Sequence, residues 1–216
     1  IKNGYLQTDK IEDADIYILN SCSVTHKSDN EALYLLRNAK HKNPDNVTVL
    51  TGCIAQIEKE NLLQNNFIDY VIGNDEKLDM LNILNQKKGC FVSDIMLLDK
   101  FHKAILNYTT KTRASLKIQD GCDNRCSYCI IPFARGKSRS ANINFIIEQI
   151  NNFIKNEFKE IVFTGIHIGQ WGRDFGLTLL DLLKEVENTE IARYRLGSLY
   201  VNEINDELLD FLKKSS

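Results

Sequence analysis

Short apolar runs alternate with amphipathic helical patterns along almost the whole chain, and no other feature limits the fold as strongly. Each apolar run has the length of a buried strand, and each segment that follows repeats its apolar residues at helical spacing. Because strands that alternate with helices build parallel sheets, the predicted fold class is α/β. The first helix is predicted to begin at a capping box, Ser28 to Glu31, and to end at Pro44. The predicted strands are 14–19, 47–50, 70–72, 113–119, 160–164 and 192–199, and the other predicted helices are 54–63, 78–84, 143–158, 177–186 and 204–212.

The alternation is interrupted over residues 99–113, where periodicity is lost and Lys and Thr are frequent. Such a stretch is typical of a linker between domains. We therefore predict a first parallel βα domain over 1–98, a linker over 99–112 and the first part of a partial (βα) barrel over 113–216. In barrels of this kind the reactive groups lie on the loops after the strands, and Gly165 and Ser198 fall on two such loops.

Three cysteines, Cys122, Cys126 and Cys129, lie within one short loop that follows a predicted strand. Three thiolates at this CxxxCxxC spacing are the number that holds a four-iron cluster while one iron stays open to water or a substrate. A structural zinc site needs four protein ligands, and no second CxxC or HxxxH pattern follows nearby. The spacing therefore indicates a reactive iron-sulfur cluster, with a zinc site as the alternative.

Two further cysteines, Cys22 and Cys53, lie at the ends of predicted strands in the first domain. Open parallel sheets bind ligands at the carboxyl ends of their strands, so these thiols could converge on one site. Two thiols cannot hold a cluster alone, and a third would come from upstream of Ile1. The alternative is that both are small buried hydrophobes, which is the preferred interpretation for Cys90 because it follows no strand pattern.

The composition, 43% hydrophobic and 26% charged over 216 residues, is that of a soluble globular protein. No apolar run approaches the roughly 18 residues that cross a bilayer, and the first residues lack the apolar core of a signal peptide. We expect a cytoplasmic protein whose six cysteines are reduced thiols or metal ligands. The first and last residues suggest a fragment of a longer protein.

Basic residues are concentrated around the cysteine loop, although the net charge of the chain is only -2. Residues 100–139 contain nine Lys and Arg against two Asp, so this window carries +7 and the rest of the chain -9. Positive charge beside a reactive centre suits a polyanion such as RNA. A solvated linker with ordinary lysines is the alternative.

The cysteine loop, with Tyr128 before its last cysteine, resembles the signature of radical S-adenosylmethionine (SAM) enzymes. The stretches 20–25 (NSCSVT) and 51–56 (TGCIAQ) resemble the amino-terminal domain of methylthiotransferases. Together these segments cover nearly the whole chain, and their combination is specific to the radical SAM methylthiotransferase family. The resemblance implies that the chain lacks the extreme amino terminus, the rest of the barrel and a small carboxy-terminal RNA-binding domain.

Within that family, the stretches 117–122, 130–136 and 164–169 look most like the branch that acts on threonylcarbamoyladenosine at position 37 of tRNA. The sibling branches act on isopentenyl-adenosine of tRNA and on an aspartate of a ribosomal protein. One motif departs from the family pattern, because Tyr200 stands where the family usually has an acidic residue. This departure puts in doubt any contact that a carboxylate makes there.

The resemblance implies two 4Fe-4S clusters, SAM as cofactor, an anticodon loop with adenosine 37 as substrate, and an electron donor that the sequence does not name. The implied cluster ligands are Cys122, Cys126 and Cys129 for the cluster that cleaves SAM, and Cys22 and Cys53 for a second cluster that delivers sulfur. A radical formed from SAM would then remove hydrogen from carbon 2 of the adenine, which has no acidic proton and no leaving group.

The resemblance also implies roles for side chains near the cofactor and the RNA. Tyr128 is expected to lie against the adenine of SAM, Gly165 to admit its methionine end, and Ser198 to contact it from the third strand of the barrel. The basic residues after the cluster loop are expected to contact phosphates or the cofactor, with a solvated basic loop as the alternative, and they are Arg135, Lys137 and Arg139. His167 is interpreted as a satisfied barrel histidine without an acid-base role.

A hypothesis of another class competes with the enzyme. The basic window is equally compatible with a non-catalytic iron-sulfur or zinc module that binds RNA. Reductive cleavage of SAM separates the two hypotheses, because only the enzyme yields 5'-deoxyadenosine.

Overall fold

The computed structural model describes residues 4–23, 25–103 and 112–215, which fall into two units. Unit 1 consists of Ile1–Leu98 and Cys126–Arg135, and unit 2 consists of Asp99–Arg125 and Gly136–Ser216. The stretch Cys126–Arg135 therefore groups with the first unit although it follows the start of the second unit in the chain. Residues 104–111 of the predicted linker lie outside the described residues.

Unit 1 is built on a four-stranded parallel sheet with the order β1-β2-β3-β4. Its strands are β1 (Ile16–Ser21), β2 (Val47–Gly52), β3 (Tyr70–Ile72) and β4 (Gly89–Phe91). The three predicted strands of this half are confirmed. The fourth strand was not predicted, and Cys90 is its middle residue and pairs with Val71. A strand of three residues that begins with Gly is too short to show an alternating pattern.

The helices of unit 1 cover both faces of the sheet. They are α1 (His26–Lys42), α2 (Cys53–Glu58), α3 (Met80–Leu84) and α4 (Ile131–Arg135). On one face Leu36 of α1 and Ile54 of α2 belong to the same buried cluster as Leu50. On the other face Ile83 of α3 packs with Val49. A sheet covered on both faces has strands that are buried along their whole length, as β3 is and as β2 is after its first residue.

The first helix begins earlier than the predicted capping box. Thr25 is its N-cap, with an extended backbone, and Thr25 Oγ1 accepts the N–H of Ser28 at 3.2 Å. The prediction that Ser28 caps the helix is therefore wrong, since Ser28 already lies in the first turn. Thr25 also has a hydroxyl, and the N-cap is the residue whose backbone has not yet become helical.

Asp69, just before β3, links three elements of unit 1. Its carboxylate accepts hydrogen bonds from Lys40 of α1 at 2.8 Å, from Lys88 at 2.7 Å and from the backbone N–H of Thr48 in β2 at 3.0 Å. Burial alone would raise the pKa of Asp69, but these hydrogen bonds outweigh it and lower the pKa to about 2.

Unit 2 contains a three-stranded parallel sheet with the order β5-β8-β9 and a small antiparallel pair, β6-β7. Its strands are β5 (Ala114–Lys117), β6 (Gln119–Asp120), β7 (Arg139–Ser140), β8 (Glu160–Thr164) and β9 (Arg193–Leu196), and its helices are α5 (Ile143–Lys155), α6 (Leu179–Val186) and α7 (Asp206–Lys214). The predicted strands and helices of this half are confirmed; most are shorter than predicted, β8 has the predicted bounds, and α7 begins and ends two residues later. The predicted strand 113–119 divides at Ile118 into β5 and β6.

One apolar cluster fills unit 2. Leu116 of β5 and Phe163 of β8 are buried against α5 and α6, whose apolar residues recur on one side, as Ile146 and Leu182 illustrate. Trp171, in the loop after β8, is fully buried in this cluster and donates from Nε1 to the carbonyl of Ala141 at 2.9 Å. The loop after β8 is thereby anchored in the core.

Among the described residues, no helix has both the length and the apolar character that crossing a bilayer requires.

Candidate functional site

Cys22 and Cys53 lie at the same edge of the unit 1 sheet. Ser21 at the end of β1 pairs with Gly52 at the end of β2, and each cysteine directly follows one of these residues. Gly52 has a φ of +98°, and a Cβ there would lie 2.2 Å from the carbonyl oxygen of Ser21. Only glycine therefore permits this close approach of the two strand ends. Cys22 is exposed and Cys53 is buried.

The segment with Cys126 and Cys129 is part of unit 1. The N–H of Cys129 donates to the carbonyl of Cys126 at 3.0 Å, so a tight turn connects the two residues. Both are half-buried, whereas Tyr128 between them is 88% exposed. The Tyr128 ring is thus available to a ligand.

Helix α4 follows this turn and rests on the carboxyl edge of the unit 1 sheet. Asn74, in the loop after β3, donates from Nδ2 to the carbonyl of Ala134 in α4 at 2.8 Å. Gln56 of α2 accepts the backbone N–H of Asn74 at 2.9 Å and donates to the carbonyl of Ser93 at 2.9 Å. Both amide side chains are buried.

Cys122 is held within unit 2. Its backbone N–H donates to the carbonyl of Gly136 at 3.1 Å, and the preceding Gly121 has a φ of +72°. A Cβ on Gly121 would lie 1.9 Å from the carbonyl oxygen of Lys137. Glycine is thus required where the loop turns towards Cys122.

The side chain of Gln119 holds the start of this loop through hydrogen bonds. Its Nε2 donates to the carbonyl of Gly121 at 2.7 Å and to Ser138 Oγ at 2.9 Å, and its Oε1 accepts the N–H of His167 at 2.8 Å. Gln119 is fully buried. One side chain therefore connects the loops that follow β5 and β8.

His167 lies between a thiol and a carboxylate. Its Nδ1 is 3.7 Å from Cys122 Sγ, and its Nε2 donates to the Glu203 carboxylate at 2.7 Å. His167 is buried, and both of its ring nitrogens have partners, in agreement with the interpretation as a satisfied histidine. The Glu203 contact fixes the orientation of the ring against Cys122.

Glu203 places a carboxylate beside Tyr200, the residue that stands where the family usually has an acidic one. One Glu203 oxygen accepts the N–H of Tyr200 at 3.1 Å, and the Tyr200 ring packs edge-on against His167 with the ring centres 4.2 Å apart. The carboxylate near this motif therefore comes from a residue three positions later. Gly169 makes room for it, because a Cβ there would lie 2.0 Å from a Glu203 oxygen.

Gly165 and Ser198 lie directly after β8 and β9. A Cβ on Gly165 would lie 2.9 Å from both the backbone and side-chain oxygens of Gln119, so this glycine is needed for packing against Gln119. Ser198 is exposed and has a φ of +54°, a conformation that costs free energy in a residue with a side chain. Such strain at a loop after a strand is compatible with a functional role.

The three basic residues after the cysteine loop differ in exposure. Lys137 is exposed and Arg135 is half-buried. Arg139 is only 4% exposed, and its guanidinium donates to the carbonyl of Lys137 at 2.7 Å. Burial and this hydrogen bond give Arg139 a structural role in the loop, and its expected contact with phosphate stays a prediction.

A cavity of about 460 Å³ lies within unit 2, lined by the loops after β8 and β9 and by the start of α6. His167, Arg173, Tyr200 and Glu203 contribute polar atoms to it, and Leu180 and Leu199 contribute apolar surface. A cavity of this volume suits a small-molecule ligand.

The cysteine thiols are the candidate donor atoms of a metal centre. All six cysteines are free thiols, which are soft ligands that suit iron. Within residues 4–23, 25–103 and 112–215, no three His, Cys, Asp or Glu side chains gather closely enough to hold one metal ion. A four-iron cluster binds each thiolate at a different iron, so its ligands need not converge on one point. Free thiols are the kind of ligand that such a cluster uses.

The sequence patterns did not identify several residues that organise these loops, namely Gln56, Asn74, Gln119, Gln170 and Glu203. Gln170, for example, is fully buried and accepts the N–H of Asp123 at 3.1 Å, next to Cys122. The available signal was a polar residue directly before or after a predicted strand, which is also the composition of an ordinary loop.

Two solved structures resemble the fold. Both are of the radical S-adenosylmethionine methyltransferase TsrM from Kitasatospora setae, one with tryptophan substrate and a SAM analogue bound and the other with cobalamin and a [4Fe-4S] cluster bound. The TM-scores are 0.51 and 0.50 at 10% and 12% sequence identity, over 80% of this chain and 39% and 41% of those chains. At this identity the likeness concerns the fold alone, and it agrees with the predicted α/β class.

Sequence comparison leads to a particular family. Residues 1–73 match the family described as "Uncharacterized protein family UPF0004". The chain is 36% identical over 98% of its length to threonylcarbamoyladenosine tRNA methylthiotransferase MtaB of Bacillus subtilis, and 34% identical over 98% to that of Aquifex aeolicus. It is 30% identical over 99% to tRNA-2-methylthio-N(6)-dimethylallyladenosine synthase of Clostridium botulinum. The predicted resemblance to the radical SAM methylthiotransferases is confirmed.

The chain spans about half the length of the curated relatives it matches, namely 49%, 53% and 50% of these three proteins.

Proposed function

We propose that this chain acts in a radical SAM methylthiotransferase that modifies carbon 2 of N6-threonylcarbamoyladenosine at position 37 of tRNA. The observation that carries the proposal is the sequence similarity to methylthiotransferases over 98% of the chain. It is supported by the placement of free thiols on the loops after strands in both units, at Cys22 and Cys53 and at Cys122. The higher identity to MtaB proteins, 36% against 30%, favours the threonylcarbamoyladenosine branch over isopentenyl-adenosine.

In this proposal Cys122, Cys126 and Cys129 hold the cluster that binds SAM. They are separated by only a few residues, and Cys126 and Cys129, joined by a tight turn, are half-buried. Cys22 and Cys53 contribute ligands to a second 4Fe-4S cluster at the edge of the unit 1 sheet. When bound, the clusters and SAM would supply three things: a radical that removes hydrogen from an unactivated carbon, a sulfur atom and a methyl group. The sulfur and the methyl group would take the place of that hydrogen.

The protein side chains bind and orient these groups. The exposed Tyr128 ring offers a stacking surface to the adenine of SAM. Ser198 has a left-handed backbone conformation and offers its hydroxyl and backbone groups on the loop after β9. Gly165 offers backbone groups on the loop after β8. His167 and Glu203 hold Cys122 in position, and the buried surroundings of Cys122 keep water from its sulfur.

The RNA is proposed to contact the basic segment after the cysteine loop. Arg135 and Lys137 offer charge to phosphates, whereas the buried Arg139 supports the loop. Adenosine 37 lies in a single-stranded loop and can be turned out of its stack into a pocket. A cytoplasmic location follows from this proposed substrate. We retain the proposed domains over 1–98 and 113–216, joined by a linker over 99–112.

Nucleoside mass spectrometry of tRNA from cells that lack the gene tests the function. We expect the methylthio group to be lost from threonylcarbamoyladenosine while threonylcarbamoyladenosine itself accumulates. Loss from isopentenyl-adenosine alone would assign the protein to the sibling branch, and an unchanged tRNA pool would point to the ribosomal protein aspartate.

A second experiment tests the class of protein. The full-length gene product, reconstituted anaerobically with iron and sulfide, should cleave SAM reductively to 5'-deoxyadenosine. Iron-replete protein that binds tRNA but never yields 5'-deoxyadenosine would identify a non-catalytic RNA-binding module instead.

A further inference from the structure

Two buried amide side chains attach the segment Cys126–Arg135 to the rest of unit 1. Gln56 is 3% exposed and Asn74 is 8% exposed. Asn74 Nδ2 donates to the carbonyl of Ala134 in α4 at 2.8 Å, and the backbone N–H of Asn74 donates to Gln56 Oε1 at 2.9 Å. The chain of contacts therefore runs from α2 through the loop after β3 to α4.

These contacts connect elements that carry candidate cluster ligands. Helix α2 begins at Cys53 and contains Gln56, and α4 begins two residues after Cys129. The two helices pack against each other within unit 1. The position of the Cys126–Cys129 turn relative to Cys53 is thus set by a contact in which Asn74 takes part.

The local backbone is shaped for this contact. A Cβ on Gly73 would lie 2.3 Å from a Glu76 oxygen and 3.0 Å from Gln56 Oε1, so a larger residue would displace these side-chain ends, including the oxygen that accepts from Asn74. The side-chain oxygen of Asn74 accepts from Lys77 Nζ at 3.0 Å, which orients the amide with its N–H groups towards α4. Burying an amide is favourable only when such partners are present.

We propose that Gln56 and Asn74 are positioning residues that hold the Cys126–Cys129 turn at a fixed distance from Cys53. This inference rests on the proposed function, in which one set of thiols serves radical formation and the other serves sulfur delivery. Because a displacement of about 1 Å between reacting groups can cost roughly a hundredfold in rate, the contact governs how often cleavage of SAM ends in a methylthiolated product.

Asn74→Asp is the sharpest test of the contact. Aspartate has the shape of asparagine but lacks the N–H groups, so it removes the bond to Ala134 and sets two acceptor oxygens against each other without creating a cavity. Asn85→Asp is the matched control, since Asn85 also donates its amide to a helix carbonyl, that of Leu81 at 3.1 Å, but is exposed.

Hydrogen exchange of the full-length protein without clusters gives a readout that does not depend on activity. In Asn74→Asp we expect the amides of Cys129, Phe133 and Ala134 to exchange about tenfold faster, with the amides of β1 and α1 unchanged. Asn85→Asp should leave the segment as in the wild type. Unchanged exchange in Asn74→Asp, or a uniform increase over the whole unit, would overturn the proposal.

The reconstituted full-length protein provides the second readout, the ratio of 5'-deoxyadenosine formed to methylthiolated nucleoside formed. We expect this ratio to rise about fivefold or more in Asn74→Asp and to stay at the wild-type value in Asn85→Asp. A parallel fall of both products would mean that Asn74 has a structural role only and would overturn the inference. If the wild-type protein forms no methylthiolated nucleoside, the proposed function fails, while the exchange measurement still decides whether Asn74 holds the segment.

Discussion

At the scale of single residues, Gln119 shows how one amide organises the start of the cysteine loop. It is fully buried and contacts the backbone of Asp120 and Gly121 as well as Ser138 and His167. Each of these groups would be left without its buried partner if the amide were removed. The conformation before Cys122 therefore depends on a residue that does not itself bind a cofactor.

Replacing Gln119 with Leu is expected to destabilise unit 2 by about 2–4 kcal/mol, because buried N–H and C=O groups lose their partners. Trp171 is the only tryptophan in the chain and is fully buried in unit 2, so its fluorescence during urea denaturation reports this unit. Asn152→Leu, at an exposed position of α5, should change stability by no more than about 0.5 kcal/mol. If Gln119→Leu and the wild type had equal urea midpoints by Trp171 fluorescence, Gln119 would not have the stabilising role assigned to it.

The sequence indicates the cysteines as candidate ligands, whereas the residues that contact their loops could not be predicted from it. Cys122, Cys126 and Cys129 lie within a few positions of one another, so their spacing alone indicates shared chemistry. Glu203 reaches His167 across 36 positions, and this contact exists only after folding. A polar residue whose partner is distant in sequence has no local pattern that distinguishes it from an ordinary loop residue.

At the scale of elements, long periodic segments were predictable and short ones were not. Helix α5 and strand β8 match the predicted ranges because several apolar residues in each face the same core. Helix α4 and strand β4 are too short for a period to be read, and their positions are set by contacts with neighbouring elements. Helix α2 is also shorter than predicted, since Lys59 takes a φ of +47° and a 3-10 turn follows.

The Asp69 network that joins α1, β2 and β4 predicts how the stability of unit 1 depends on pH. The pKa of Asp69 is about 2 in the folded protein, below its ordinary value of 3.8. Its contribution, about 2 kcal/mol, is therefore complete above about pH 4 and is lost as the pH falls towards 2.

Urea denaturation between pH 2 and pH 5 measures this dependence. Far-UV circular dichroism follows both units, and Trp171 fluorescence separates the transition of unit 2. In Asp69→Asn the free energy of unfolding of unit 1 should be lower at pH 5 than in the wild type, and it should depend less on pH. If the free energy of unfolding of unit 1 fell equally steeply with decreasing pH in both proteins, other carboxylates would govern acid unfolding.

At the scale of the whole molecule, the cysteine variants test whether two sets of thiols have separate tasks. Cys126→Ala in the reconstituted full-length protein is expected to abolish the formation of 5'-deoxyadenosine, because the cluster proposed to bind SAM would lose a ligand. Cys53→Ala should retain this cleavage but form no methylthiolated nucleoside.

Cys90→Ala is the matched control for both variants. Cys90 lies in β4 against the apolar core of unit 1, and burial raises the pKa of its thiol, which makes it a packing residue. Both activities should survive this substitution. Equal loss of cleavage in Cys126→Ala and Cys53→Ala would argue against two separate clusters.

The discontinuity of unit 1 has a consequence for biosynthesis. During translation, residues 1–98 leave the ribosome well before Cys126–Arg135, which supply α4. Until then the amide of Asn74 lacks the carbonyl of Ala134, and α2 lacks its contacts with α4. The nascent first unit therefore stays incomplete until a segment that is encoded within the second unit has been synthesised. For the same reason a protein shortened to residues 1–98 should be prone to self-association.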